Sequence, residues 1–379
     1  MLFYVVLIGL TVHAEPQTGK KIFPAGNYLV NAELRQTVRV DELKQNYAQL
    51  SAFIKNGYTA YRLTYHTKSV DGNDIIASGA VFIPDATGSL PLLSYNHGTL
   101  FPSKERNAPS YLQSGSELNI GKLFAGTGYI VSMADYIGYG STKDEKHPYG
   151  VYSMIAGSSI DMLYAVQEFC KQKQIILSGK NFFSGWSEGA AVALAMVKKL
   201  EEDKSSILPA MTVLNAGPYF SSNFAEHIFD AKDELKYINS YAWVLSTYNR
   251  IYNINKPMDY YFKDTVAAEL QENPEAKISH DPQRIFTDLF RKNYQSGQDS
   301  VLHRAMAEND LWNWKPASTI VFCHGDQDDY VPLFNSEKAY NEMLAKGANV
   351  SLKVFKGQNH VSGVYAFLME AFTRFEAAK

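Results

Sequence analysis

The chain has 379 residues, 46% hydrophobic and 20% charged, a mixture that can bury a sizeable core and that sets aside disordered and fibrous classes. A formal charge of -3 supplies no basic field for nucleic acid, and no Lys/Arg block marks an anionic membrane surface. Nucleic-acid partners are therefore not expected.

The opening MLFYVVLIGLTVHAE holds an apolar run from Leu2 to Leu10, too short to span a bilayer, then Val12-His13-Ala14, which suits a small-residue cleavage site before Glu15. Residues 1–14 are read as a signal peptide, which makes the mature chain secreted or periplasmic, without a transmembrane segment. No Lys or Arg precedes the apolar run, so a first core strand or a misassigned start is the competing reading. No lipobox cysteine follows it, and lipid anchoring at that end is not expected.

A polar, helix-prone segment around RVDELKQNYAQLSAFIKNG comes next, followed by the alternating patterns YTAYRLTYHT and IIASGAVFIP. These flank the turn residues Asp71-Gly72-Asn73 and predict a hairpin. The rhythm then changes to short apolar runs, PLLSYNHG, GYIVSMADY, KNFFSGW, MTVLNAG, STIVFCHG and VSLKVFKG, alternating with helical stretches such as EGAAVALAMVKKLEE. Continuous apolar runs separated by helices imply a mostly parallel sheet covered on both faces, a doubly wound α/β architecture with an antiparallel start. Residues 219–315 break the rhythm with aromatic-rich helical patterns, including LKYINSYAWVLSTYNRIYNI and PMDYYFKDTVAAEL, and no strand pair. An interval that long is not a bare loop. It is read as a helical cap inserted at the carboxyl edge of a core formed by 15–218 and 316–379. Cys170 and Cys323 each end an apolar or helical pattern and are expected as buried thiols.

Within NFFSGWSEGAAVALAM, Ser187 stands between Gly185 and Gly189 where a strand pattern turns into a helix pattern, the context that G-x-S-x-G requires. A sharp turn there forces strained backbone on the serine and demands tiny residues two before and two after it. The competing reading is a tight turn in which Ser187 only caps a helix. A serine hydroxyl is a poor nucleophile without a base held by an acid, so an acid and then a histidine should follow at later strand ends. TIVFCHGDQDDYVP and LKVFKGQNHVSG supply them, the second carrying His360.

The order serine, acid, histidine is that of the α/β-hydrolase fold. Among Asp326, Asp328 and Asp329, the pattern Gly325-x-x-Asp328 before Val331-Pro332 resembles the usual acid turn of that fold and selects Asp328, with Asp329 as runner-up. Adjacent carboxylates in one turn cannot flank a glycosidic bond from opposite sides. An oxyanion needs two N–H donors, one expected from Glu188 and the other from YNHGTLFPS, where His97-Gly98 resembles the start of the oxyanion loop. Thr99 or Leu100 completes the pair, with Thr99 preferred. The Glu188 side chain is expected to face the helix's positive end or solvent, and His97 and His324 to be structural.

More broadly, the sequence resembles secreted lipases and esterases of the lipase-A-like secretory branch of the α/β-hydrolases. The resemblance rests on SYNHGT, ADYIGYGST with HPYG, GWSEGAA, NAGPY, NDLWNWKP and HGDQDDYVP…NSEKAY…GQNH, over most of the mature chain. It implies catalytic roles for Ser187, Asp328 and His360 alone; Asp135, Tyr136 and His147 lie in matching stretches and are read as structural at strand ends. Ala190 stands where many relatives carry a third glycine. Nine histidines lie scattered without H-E-x-x-H, and no G-x-G-x-x-G opens an early unit, so neither metal nor cofactor is expected. The reading is a serine esterase or lipase acting on a small-molecule, carbohydrate-linked or lipid ester. A serine peptidase or amidase on the same fold, and a binding protein on a disabled scaffold, stay open as alternatives.

Overall fold

A computed structural model describes residues 27–113 and 115–379, so the expected signal peptide at 1–14 lies outside the described residues. Its strands are β1 (Leu29–Val38), β2 (Tyr58–Lys68), β3 (Asp74–Pro84), β4 (Leu90–Asn96), β5 (Ile130–Ala134), β6 (Leu177–Trp186), β7 (Pro209–Asn215), β8 (Thr319–Gly325) and β9 (Val350–Phe355). Among the described residues they form one nine-stranded sheet in the order β1-β2-β3-β5-β4-β6-β7-β8-β9. β2 and β3 pair antiparallel around the expected Asp71-Gly72-Asn73 turn, and β3 joins β5 antiparallel. From β5 through β4, β6, β7 and β8 to β9 every pairing is parallel.

Successive side chains of a strand point to opposite faces, so the apolar runs feed two cores at once. Phe182, Val213 and Val321 enter one core with the helices Ser116–Gly126 and Val364–Ala378. Their neighbours Phe183, Leu214 and Phe322 enter the other, with the helices Tyr152–Gln172, Glu188–Glu202 and Phe334–Ala345. Truncating one such fully buried phenylalanine to alanine costs about 3–5 kcal/mol. Cys170 and Cys323 are both buried and free.

Between β7 and β8 lie seven helices, from Ser221–Phe229 to Ser300–Glu308, with an apolar cluster of their own around Ile238, Leu245, Phe286 and Phe290. Val151 and Val331 from the sheet side join that cluster. The run PMDYYFKDTVAAEL is broken into Met258–Tyr261 and Asp264–Glu272 because Phe262 adopts extended backbone and bridges Phe286, an isolated β-bridge where no pairing was expected. Polar links tie this unit to the sheet's carboxyl edge: Lys236 to Asp329 at 2.9 Å and the Tyr241 hydroxyl to the Tyr330 carbonyl at 2.7 Å. Among the described residues no helix is long and apolar enough to cross a membrane.

Candidate active site

Ser187 follows β6 directly, at the N-cap position of the helix Glu188–Glu202, with φ 57° and ψ -125°, a left-handed conformation for a residue with a Cβ. Such strain costs on the order of 1–3 kcal/mol and persists only where the surroundings enforce it. Here the Ser187 N–H donates to the Asn215 carbonyl at 2.9 Å. A Cβ on Gly185 would lie 2.3 Å from the Gly189 carbonyl oxygen, and one on Gly189 would lie 2.0 Å from that of Asn96. No larger residue fits either place, which is the physical content of the two glycines in the motif.

His360 follows β9 in a turn closed by Asn359, whose side-chain oxygen accepts the N–H groups of Val361 and Ser362 at 3.1 and 2.9 Å. Its Nε2 lies 3.0 Å from Ser187 Oγ, and its Nδ1 lies 2.8 Å from Asp328 Oδ2. Because Nδ1 faces a carboxylate it carries the proton, which leaves Nε2 free to accept from the serine. The Trp186 indole N–H holds the His360 carbonyl at 3.2 Å. Asp328 is fully buried after β8, and Oδ1 accepts the N–H groups of Tyr330 and Val331 at 2.9 and 2.8 Å. Burial would raise its pKa, yet hydrogen bonds from His324 and His360 outweigh that and hold it well below the usual carboxylate range.

His324 was read as structural, and it is bound into the fold through Ser336 Oγ and the Val331 carbonyl, each at 2.7 Å. It also lies 3.2 Å from Asp328 Oδ2, giving that carboxylate a second histidine that the sequence did not signal. The other acids of the loop are elsewhere engaged: Asp329 pairs with Lys236 at the surface, and Asp326 accepts the Gly357 N–H at 2.6 Å.

Above Ser187 a cavity opens toward the inserted helices. Thr99, Tyr149, Ser187, Glu188 and Tyr330 line its polar end, and Phe224, Ile228, Leu245 and Met306 its apolar end. As the first residue of its helix, Glu188 has no intrahelical acceptor for its N–H. In the opposite wall the Gly98 N–H is taken by the Glu117 carboxylate at 2.9–3.0 Å, and the Leu100 carbonyl accepts from the Tyr139 hydroxyl. Thr99 lines the same cavity as Ser187, its hydroxyl 3.1 Å from that of Tyr149.

The Glu188 side chain does not face solvent. It is buried, and Oε1 lies 3.1 Å from Nε2 of His147, whose Nδ1 lies 2.7 Å from the Ile137 carbonyl. His147 is thus the support of the residue after Ser187, a contact spanning 41 positions of sequence. Asp135 accepts the Ser78 hydroxyl at 2.6 Å and the Ser110 N–H at 2.7 Å, and the Tyr136 hydroxyl donates to the His97 carbonyl at 2.9 Å. Burial pushes the pKa of His97 down, and its ring nitrogens face the carbonyls of Gly98 and Asp135. Among the described residues no group of His, Cys, Asp and Glu is arranged to hold a metal ion.

No family model and no curated protein matches the chain in sequence. Solved structures do match in shape. A protein of Legionella pneumophila described as a hydrolase is 23% identical, with a TM-score of 0.82 over 93% of this chain and 98% of its own. The rice cell wall degrading esterase LipA from Xanthomonas oryzae is 24% identical, with a TM-score of 0.78 over 91% of this chain and 95% of its own. Candida antarctica lipase A is 14% identical, with a TM-score of 0.66 over 93% of this chain and 83% of its own. With its parallel strands, crossover order and strand-to-helix elbow, the chain has the α/β-hydrolase fold.

Proposed function

We propose that this chain is an exported serine carboxylic-ester hydrolase, with Ser187 as nucleophile, His360 as general base and Asp328 as the group that orients the imidazole. The observation that carries this reading is the hydrogen-bonded chain from Ser187 through His360 to Asp328 at the polar end of a cavity. His360 Nε2 takes the proton as Ser187 Oγ attacks the ester carbonyl, and Asp328 stabilises the imidazolium that forms. The Glu188 and Thr99 amides hold the oxyanion, each such donor contributing a factor of about 10²–10³. His360 returns the proton to the leaving alcohol, then activates water against the acyl-enzyme.

Residues 219–315 act in this reading as a cap, and their apolar residues Phe224, Ile228, Leu245 and Met306 receive the acyl half of the ester. Tyr149 and Tyr330 at the polar end suit hydroxyl-bearing alcohols, so carbohydrate-linked esters stand beside lipids as substrates. The esterase and lipase names of the structural neighbours point the same way. Export rests on the apolar run and small-residue site within 1–14.

The test is labelling by a fluorescent fluorophosphonate, wild type against Ser187→Ala, with a chain-length series of p-nitrophenyl esters and matched amides. Labelling and ester turnover are expected in the wild type and lost in the variant. Ester turnover by Ser187→Ala within a few-fold of wild type would sink the assignment, and faster turnover of the amides would make the chain an amidase.

A further inference from the structure

Glu117 stands in the first turn of the helix Ser116–Gly126, behind the loop that follows β4, and the mechanism above makes no use of it. Both of its oxygens accept the Gly98 N–H, at 3.0 and 2.9 Å, and Oε2 also accepts the Tyr95 hydroxyl at 3.0 Å. Gly98 in turn is pressed against the elbow: a Cβ there would lie 3.2 Å from the Trp186 carbonyl oxygen and 3.5 Å from Ser187 Cβ. We propose that Glu117 is a positioning residue, which clamps Gly98 and thereby aims the Thr99 N–H at the oxyanion; this rests on Ser187 being the nucleophile.

The clamp needs an ionised carboxyl. Ionised, Glu117 offers lone pairs on both oxygens to one N–H and one O–H in a charge-assisted arrangement. Protonated, the carboxyl can still accept from Gly98 through one oxygen, but the charge-assisted hold through both oxygens is lost and the loop is anchored less firmly. Burial pushes the Glu117 pKa up to about 7, against the hydrogen bonds from Gly98 and Tyr95 that pull it down. The groups facing it are Tyr95 from β4, His97 from the loop, Tyr136 beyond β5 and Glu188 at the head of its helix. A second pocket is lined by Glu117 together with His97, Leu100, Asn107 and Gly115. Protonation of Glu117 therefore lowers activity on the acid limb.

The experiment measures kcat and KM for a p-nitrophenyl ester from about pH 5 to 9 in wild type, Glu117→Gln and Glu117→Ala, with fluorophosphonate labelling and thermal melting of each. Gln keeps one acceptor for Gly98, so Glu117→Gln is expected to fold and label. Its kcat should fall about 10-fold to 100-fold with KM within a few-fold, since a small misplacement of a catalytic group acts on the transition state. Its acid limb should lose one proton's worth of steepness, and Glu117→Ala should fall further. A Glu117→Gln enzyme with wild-type kcat and an unchanged acid limb overturns the clamp alone. A wild type that neither labels nor turns over esters overturns the nucleophile, and the clamp with it.

Discussion

Replacing Asp328 by asparagine is a sharper perturbation than its one-atom difference suggests. Oδ1 accepts two backbone N–H groups, from Tyr330 and Val331 at 2.9 and 2.8 Å, so the single oxygen of the amide must occupy that position. The new NH₂ then falls where Oδ2 was, 2.8 Å from His360 Nδ1 and 3.2 Å from His324 Nε2. A donor now faces Nδ1, so His360 must become an acceptor there and carry its proton on Nε2. That proton points at Ser187 Oγ across 3.0 Å, and the base is gone although every atom stays nearly in place. The loss expected from a wrong tautomer of this kind is roughly 10⁴-fold in kcat. The assay is kcat and KM on a p-nitrophenyl ester, with circular dichroism to show an intact fold and Asp329→Asn as control. Asp329 makes an exposed pair with Lys236, which solvent screens, so that control should keep its activity. If Asp328→Asn stayed within 10-fold or so of wild type while Asp329→Asn lost activity, the tautomer argument and the choice of acid would both be wrong.

Because the folded-state pKa of Asp328 is depressed, its share of stability is present above the unfolded value near pH 4 and is lost as pH falls below it; the melting temperature should drop there, and by less in Asp328→Asn. Gly189→Ala should give no folded, active enzyme because its Cβ would lie 2.0 Å from the Asn96 oxygen, whereas Gly157→Ala, within the helix Tyr152–Gln172 with no atom inside 4 Å, should raise stability by about 0.5–1 kcal/mol in a urea melt. Ala225 is buried and lines the cavity, so Ala225→Trp should abolish turnover of long-chain esters while sparing acetate and butyrate esters; an unshifted chain-length profile would place the acyl half elsewhere.

The central parallel strands β4, β5 and β8 were legible because nearly all their residues are buried on both faces, so that each appears as a largely apolar run. β1 was not, and the reason is physical: LVNAELRQTV is an edge strand, mostly exposed, with Glu33 and Arg35 on it and register shifts along its pairing to β2. Charges and bulges that keep an edge from pairing with other chains also erase the pattern that would reveal it. Ser187, Asp328 and His360 could be found because each stands in the turn just beyond a strand, where local pattern and chain order carry the information. Glu117 and His147 could not, since their partners, Gly98 and Glu188, stand on other elements; His324 could not either, although Asp328 is only four residues on, because the strand pattern does not tell which way a buried strand-end imidazole turns. A buried carboxylate in a helix's first turn looks in sequence like any acidic N-terminus.

The pair formed by Glu188 and His147 bears on the charge of the whole site. His147 Nδ1 lies 2.7 Å from the Ile137 carbonyl, which can only accept, so Nδ1 must donate. Nε2 lies 3.1 Å from Glu188 Oε1, and a bare imidazole nitrogen would repel a bare carboxylate there, so a proton sits between them. Whichever atom holds that proton, the pair carries no net charge. This matters because Glu188 is the residue after Ser187, and its Oε2 is buried without a protein partner. An unneutralised carboxylate at that depth would oppose the negative charge that develops on the ester oxygen, in a setting where water screens little. His147 therefore permits an acidic residue at the head of the elbow helix: it removes the charge while anchoring the backbone whose N–H meets the oxyanion in the proposed mechanism. The stacking of the His147 ring near Tyr136, with Tyr139 and Trp243 about it, fixes the imidazole in the one orientation that serves both carbonyl and carboxyl.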